Sequence, residues 1–409
     1  MKYTLLAAAL LVLAGCHTID SILDPIPPHG RPRGVWNLRD TSRAGSSDHG
    51  SGQPPGKALY VTAVEYPEGY AWASDTLFGT SGASIDLFRD GKLVLSVPTG
   101  HDCCVSPDPD MHHFLNGHLY TEYSDLSRTY IGRDGERLFS YEGCEMVKGL
   151  IEAGGDLYTL GLDRSGAGIS LRRNGELEFR RAGCVPCGDL YVQSYDPSGA
   201  LYMDEGKLCF GFMDPVSGEW FLYCEGSVEK LPSVAAKVYD VRRVGGSNCV
   251  LSRSGTILNL SAGTRNTRVN LGNEIPQDDF RIVNRKGRAL FYGTVTGRYG
   301  ADAEVRVWSE DGLMAVFEGR GGWIFDWDDF SYCVAQNRFG RIVAYNPEYG
   351  EESFTDPFYM PSYRCVSLTD NGIAMALTPS GSNATPYIHS FKSDTPVGIN
   401  GFLTGIYWE

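Results

Sequence analysis

The chain has 409 residues, a net charge of −14, and 42% hydrophobic against 21% charged residues. That is apolar material enough for a buried core, in two average domains or one large repeat domain. Nucleic-acid binding needs a basic footprint, and the acidic balance with no basic stripe sets that class of partner aside.

The chain opens on MKYTLLAAALLVLAGC, with Lys2 ahead of an apolar run from Leu5 to Ala14 and then Leu13-Ala14-Gly15-Cys16. A charged start, a short apolar centre and small residues before a cut site make a secretory leader. The run is too short to span a bilayer stably. The Leu-Ala-Gly-Cys stretch resembles the lipobox of bacterial lipoproteins; an ordinary leader with a chance cysteine is the alternative. The resemblance implies cleavage before Cys16, a diacylglyceryl thioether on its sulfur and acylation of the new amino terminus. Several acyl chains anchor durably where one does not. His17 stands where an Asp is absent, which by the same resemblance permits sorting to the outer membrane. The expected partner is therefore a lipid bilayer, and the expected location the bacterial cell envelope.

Ile19 to Pro55 is rich in Pro, Gly and Ser without apolar periodicity, which predicts a flexible tether. The expected organisation is a signal peptide over 1–15, the lipidated cysteine and tether over 16–56, and one folded body over 57–409.

From there the chain repeats. SIDLFRDGKLVLSVPTG (84–100), RTYIGRDGERLFSYEG (128–143), GISLRRNGELEFRRAG (168–183) and RVWSEDGLMAVFEG (306–319) each join two alternating strands through Asp-Gly or Asn-Gly. Those pairs tolerate the positive φ angles of tight hairpin turns. The turn glycines Gly91, Gly135 and Gly175 are 44 and 40 residues apart. A period near forty, with a further strand ahead of each hairpin, predicts an all-β propeller of about four antiparallel strands per blade. Eight units fit, at 57–100, 101–143, 144–183, 184–226, 227–272, 273–319, 320–356 and 357–409. Seven blades and a pair of β-sandwiches are the alternatives. Sustained 3.6-residue periodicity is absent, so almost no helix is expected. The unit GGDLYTLGLDRSGAGISLRRNGELEFRRAG (154–183) is similar to the repeats of propeller-bearing surface lipoproteins of Bacteroidetes-type bacteria. That resemblance implies a fold and an envelope location and carries no catalytic residues.

Between the first two units lies HDCCVSPDPDMHH (101–113). His101, Asp102, Cys103 and His113 are candidate ligands for zinc. Adjacent strand residues point to opposite faces, so only one of His112 and His113 can join such a set. An ordinary loop and a disulfide through Cys103 or Cys104 are the other readings. Cys103, Cys104, Cys144, Cys184 and Cys187 fall just after closing glycines, which the propeller register places along one rim of the channel. Ten cysteines follow Cys16, and an exported chain permits disulfides among them. Cys184-Val185-Pro186-Cys187 lacks the second pair of a zinc site and the helix of a redox site. Cys209, Cys224, Cys249, Cys333 and Cys365 lie in apolar strands and are expected as small buried hydrophobes.

Farther on, GGWIFDWDDF (321–330) puts Trp323, Phe325 and Trp327 on one strand face and Asp326 and Asp328 on the other. Exposed, Trp323, Asp326, Trp327 and Asp328 make a sugar platform; covered, they are packing between blades. No catalytic signature of contiguous sequence is present. The preferred function is a binding or scaffold module that takes a glycan, peptide or protein at a propeller face or channel mouth. The alternative is a glycan hydrolase or lyase with acids and histidines assembled at the channel.

Overall fold

The computed structural model describes residues 57–70, 82–100, 111–125, 127–165, 168–187, 200–232, 237–277, 279–297, 303–327, 330–336, 341–346, 350–353, 358–359, 363–369, 372–379, 385–390 and 393–409. The signal peptide and tether lie outside them, as do His101, Asp102, Cys103, Cys104 and Asp328.

The hairpin chemistry acts as the sequence predicts. Asp90-Gly91, Asp134-Gly135 and Asn174-Gly175 all have φ between 50° and 88°, the left-handed pair that a two-residue turn between right-twisted strands requires. The fourth hairpin differs. Ser309 pairs with Gly312, so Glu310 and Asp311 form the turn and the glycine opens the next strand. In each of these hairpins the register shifts once, at Leu87/Phe88, Ile131/Gly132, Leu171/Arg172 and Val307/Trp308. Such bulges sharpen the twist of the outer strands.

Eight antiparallel sheets result, ordered as an eight-bladed propeller. Blade 1 comprises 59–65, 84–89 and 92–98, with 401–408 added on its inner edge. Blades 2 and 3 run 112–142 and 145–182, blades 4 and 5 run 185–230 and 237–270, and blades 6, 7 and 8 run 275–318, 320–353 and 358–396. Two strands depart from the expected units: Ser227–Lys230, expected to open the fifth unit, closes blade 4, and the last strand changes blade. Gly401–Trp408 leaves the eighth unit and pairs with Leu59–Glu65. By supplying the innermost strand of the first blade, it joins the two ends of the repeat array through backbone hydrogen bonds. A 3-10 turn lies at Tyr363–Cys365, and Met111 also has 3-10 conformation.

The core is distributed rather than central. Its apolar clusters each bridge two neighbouring blades. Leu160, Ile169 and Leu171 of blade 3 meet Phe210, Phe212 and Tyr223 of blade 4. Leu251 and Leu260 of blade 5 meet Phe280, Phe291 and Trp308 of blade 6. Cys365, Ala374 and Ile388 of blade 8 meet Val61, Leu403 and Ile406 of blade 1. Equivalent clusters occupy the remaining five interfaces. A lone four-stranded sheet cannot cover two apolar faces, and radial stacking covers both.

Polar side chains add directionality. Acceptors of one blade take amides of the inner strand of the next, or of the turn that ends it. Thr378 Oγ1 of blade 8 accepts from Leu403 N at 2.9 Å, and the Glu122 carboxylate of blade 2 accepts from Val147 N at 3.2 Å. Asp204 of blade 4 accepts from Gly245 N at 2.8 Å and Gly246 N at 3.0 Å, Asp240 of blade 5 from Ile282 N at 2.7 Å, and Thr294 Oγ1 of blade 6 from Gly321 N at 2.9 Å.

Ring closure through the final strand is testable by truncation. Phe402, Leu403 and Ile406 are 1%, 0% and 2% exposed. Losing their burial costs about 5–8 kcal/mol, comparable with the whole stability of a typical fold, about 5–15 kcal/mol. A chain ending at Asn400 is expected to lose its cooperative thermal transition, followed by circular dichroism, and to elute as aggregate.

Candidate functional site

The innermost strands run in one direction, and a cavity of about 530 Å³ opens among the later residues of those strands in blades 8, 1, 2, 3 and 4. Its polar and aromatic lining includes His113, Lys148, Arg364, Tyr407, Trp408 and Glu409. Local irregularity places several of these groups. The ladder of blade 3 passes from Val147↔Gly161 directly to Gly149↔Leu160, so Lys148 is the extra residue of a bulge. Bulges re-aim side chains in this way. Gly149 follows because a Cβ there would lie 2.5 Å from that of Leu201 on blade 4. Arg364 comes from the 3-10 turn that precedes the strand Val366–Thr369.

The two histidines of the opening loop separate as strand geometry demands. His112 is buried, and its Nε2 lies 2.7 Å from Thr404 Oγ1, which in turn donates to Thr62 Oγ1 at 2.9 Å. His113 lines the cavity, with Nδ1 3.3 Å from Arg364 Nη1. A guanidinium has no acceptor, so Nδ1 accepts and the neutral ring carries its proton on Nε2. Burial, then the charge of Arg364, then His112, hold His113 well below the ordinary histidine range. Arg364 also donates to the His112 carbonyl. The buried Nε2 of His113 and Nε1 of Trp408 have no hydrogen-bond partner among the described residues. His113, Arg364 and Trp408 thus line the cavity together, while the Nε2 of His113 and the Nε1 of Trp408 are covered from solvent and unpaired among the described residues.

The rim is tied by carboxylates. Glu409 accepts from Asn116 N at 3.1 Å and Gly117 N at 2.7 Å, and Asn116 Nδ2 donates to Glu152 at 2.6 Å. Tyr120 also donates to Glu152, and its hydroxyl is pushed up to about 12 by burial first and by that carboxylate second.

The other sequence candidates fall elsewhere. Trp323, Asp326 and Trp327 lie on the innermost strand of blade 7 in unbroken register, opposite Val334, Ser331 and Phe330. Their backbone runs beside blade 6 strands 288–296 and 303–309. His113 is the one proposed zinc ligand among the described residues, and the guanidinium beside it opposes a second cation. Cys144, Cys184 and Cys187 are free thiols. Cys144 and Cys184 directly precede the inner strands of blades 3 and 4. Cys187 donates to Asp240 Oδ1 at 3.2 Å, and burial followed by that carboxylate raises its thiol well above the ordinary value. Burial raises Cys184 as well. Thiols held protonated are poor nucleophiles. Cys209, Cys249, Cys333 and Cys365 are buried as expected, whereas Cys224 is half-buried.

Sequence reasoning missed Lys148, Arg364, Tyr407, Trp408 and Glu409. For the last three, the missing step was the migration of the C-terminal strand into blade 1. It also missed an acid pair. Asp86 is 1% exposed and accepts from Ser84 Oγ at 2.9 Å and Ser96 Oγ at 2.6 Å. Glu65 is raised to about 7, first by a hydrogen bond to Asp86, then by burial, then by the charge of Asp86. Glycosidases use carboxylates of split acidity, but Asp86 is buried with both serines on one oxygen, a structural arrangement.

No family model and no curated protein sequence matches this chain. Among solved structures, it is similar to the dihydro-heme d1 dehydrogenase NirN in complex with DHE, at 13% identity over 85% of this chain and 74% of that one, with a TM-score of 0.49. It is also similar to a puromycin-hydrolysing peptidase of Mycobacterium tuberculosis, at 10% identity over 73% of this chain and 55% of that one, TM-score 0.41. Kluyveromyces lactis Hsv2 matches at 14% identity over 66% of this chain and 92% of that one, TM-score 0.38. The fold defines the class, an eight-bladed β-propeller.

The Glu65–Asp86 pair gives a pH prediction. A carboxyl whose folded value is raised keeps its proton where the unfolded chain has lost it. The stability it contributes is therefore full below the ordinary value of 4.5 and falls as pH rises through about 7. Glu65→Gln keeps a donor for Asp86 without a proton to lose. The Tm of E65Q relative to wild type is expected to rise between pH 5 and pH 8; a difference that stays flat or falls contradicts the assignment.

Proposed function

We propose that this protein is an envelope-anchored binding module, held to the bilayer by acyl groups on Cys16, which takes the acceptor-rich end of a glycan or peptide into the hub cavity. The supporting observation is the cavity lining, which brings Lys148 and Arg364 beside the rings of His113, Tyr407 and Trp408, with His113 Nε2 and Trp408 Nε1 covered from solvent and without partners among the described residues. Buried donors without acceptors are costly, and a ligand oxygen that meets them after a small rotation of either ring removes that cost. A carboxylate or clustered hydroxyls match such donors, and the rings of Tyr407 and Trp408 suit an apolar or sugar face. The tether over 16–56 holds the folded body away from the membrane. The lipobox resemblance supports the anchor, and mass spectrometry of the membrane-extracted N-terminal peptide tests it: acyl groups on Cys16 are expected, and an unmodified cysteine rejects it.

The binding test is a glycan and peptide screen on soluble protein lacking residues 1–20, with product analysis of every hit. Binding without turnover is expected, and turnover points to the hydrolase or lyase alternative. Trp408→Phe removes one donor and keeps an aromatic ring. Losing one bond from a buried donor costs about 1–2 kcal/mol, roughly tenfold in Kd. Because that donor is unsatisfied without ligand, the variant's Tm is expected to match or exceed wild type. Unchanged affinity in W408F places the ligand elsewhere.

A further inference from the structure

Blade 4 brings two cysteines face to face. Cys209, on the strand Lys207–Asp214, sits directly opposite Cys224, on Glu219–Cys224. Their sulfurs are 2.9 Å apart. One step along the ladder, Glu225 N donates to Leu208 O at 3.1 Å. Leu208 and Glu225 are therefore the hydrogen-bonded pair, and Cys209 and Cys224 the non-hydrogen-bonded one. In such a pair the Cα atoms approach to about 4.5 Å and the side chains lie closest, within the range a disulfide accepts. A disulfide bond measures about 2.05 Å, so a small rotation about each Cα–Cβ bond closes the gap without moving the strands.

We propose that Cys209 and Cys224 are a modification site, an oxidisable pair that closes to a cross-strand disulfide on exposure to a small-molecule disulfide. Cys224 is half-buried and Cys209 is fully buried, which sets the order of events. The Cys224 thiolate attacks the reagent disulfide, forming a mixed disulfide and releasing one thiol of the reagent. Cys209 then gives up its proton and attacks the Cys224 sulfur, expelling the second reagent thiol. Two protein thiols are oxidised, one reagent disulfide is reduced to two thiols, and no other oxidant is needed. Burial raises the Cys209 thiol, with the neighbouring Cys224 adding to it, so the second step is the slow one.

The position gives the link a structural consequence. The inner strand of blade 4 is split into Val185–Pro186 and Tyr202–Asp204, both paired with the Cys209 strand. That strand carries Phe210 and Phe212 into the interface with blade 3. A covalent bond to the next strand fixes the support on which a broken inner strand and an aromatic cluster both rest. The proposal stands apart from the hub-cavity reading and survives its failure.

The test uses the whole protein treated with oxidised glutathione, then denatured and alkylated. Residues 208–230 contain no Lys or Arg before Lys230, so one tryptic peptide holds both thiols. The expected peptide is two hydrogens lighter than the reduced form and carries no alkyl group, and the oxidised protein melts a few degrees higher than the reduced protein. In Cys209→Ala the peptide is expected to retain glutathione on Cys224. A wild-type peptide with two alkyl groups, or with glutathione stably on Cys224, overturns the proposal. Because the decisive measurement is on the wild-type chain, poor folding of the variant leaves it intact.

Discussion

The structure depends on one constraint: the innermost strand of each blade has a sheet partner on one side only. Its other edge faces the hub, where backbone donors and acceptors would otherwise stand unpaired in a crowded space. Closed β-barrels remove this problem by pairing every edge, whereas a propeller keeps eight inner edges and must satisfy them differently. Here the solution is a side-chain acceptor from the preceding blade. Thr378, Glu122, Asp240 and Thr294 each accept an inner-strand amide of the next sheet, and Asp204 accepts amides of the turn that ends the inner strand of blade 5. Such bonds, worth about 0.5–1.5 kcal/mol for the threonines and about 1.5–3 kcal/mol for the carboxylates, do more than satisfy the amide. They fix how far each blade is displaced around the ring, which non-directional apolar packing between sheets cannot do alone.

The same crowding explains why the inner strands do not run straight. In blades 1, 3, 5 and 7 the inner ladder shifts register, at Thr62/Ala63, Val147/Gly149, Val238/Asp240 and Arg320/Trp323. In blades 4, 6 and 8 the inner strand is split into two pieces. Each break turns a backbone segment out of the ladder and lets the chain bend near the axis. The breaks also supply polar groups. The residue skipped in blade 1 is Thr404, which meets His112, and that in blade 3 is Lys148, which lines the cavity. In blade 5 the shift brackets Tyr239 and is followed by Asp240, whose two oxygens reach Cys187 of blade 4 and Ile282 of blade 6.

Fold and site were unequally legible for a reason that these elements make plain. Outer hairpins advertise themselves, because Asp90-Gly91, Asp134-Gly135 and Asn174-Gly175 must hold positive φ and few other residue pairs do so cheaply. The blade period follows from them, while the count of eight over seven comes from the sheets themselves. Inner strands carry no such punctuation. Their residues are selected by neighbours forty residues away, so Asp204 and Asp240 look like ordinary strand acids until adjacent blades supply the amides. The strand Gly401–Trp408 reads as the end of an eighth unit, and only closure shows that it begins the first. With it move Tyr407, Trp408 and Glu409, which is why the cavity was invisible while the propeller was not. The histidine pair lay between these cases: alternation placed His112 and His113 on opposite faces, but not Arg364, 251 residues along the chain and yet 3.3 Å from His113.

Arg364 shows how satisfying the inner edges and building a cavity become one problem. It donates to the backbone carbonyl of His112 and to the ring of His113, crossing from blade 8 to blade 2 past the inserted strand of blade 1. That double engagement dictates the tautomer of His113, because the guanidinium can only donate. The proton is thereby forced to Nε2, where no acceptor stands among the described residues. Trp408 reaches the same condition from the strand that closes the ring. A hub that used every donor for closure would be sealed and inert. Here the groups that complete the ring leave two N–H bonds over, covered from solvent but carried by residues that line a cavity of about 530 Å³, and a small rotation of those rings is the step that separates the requirements of the fold from recognition of a ligand.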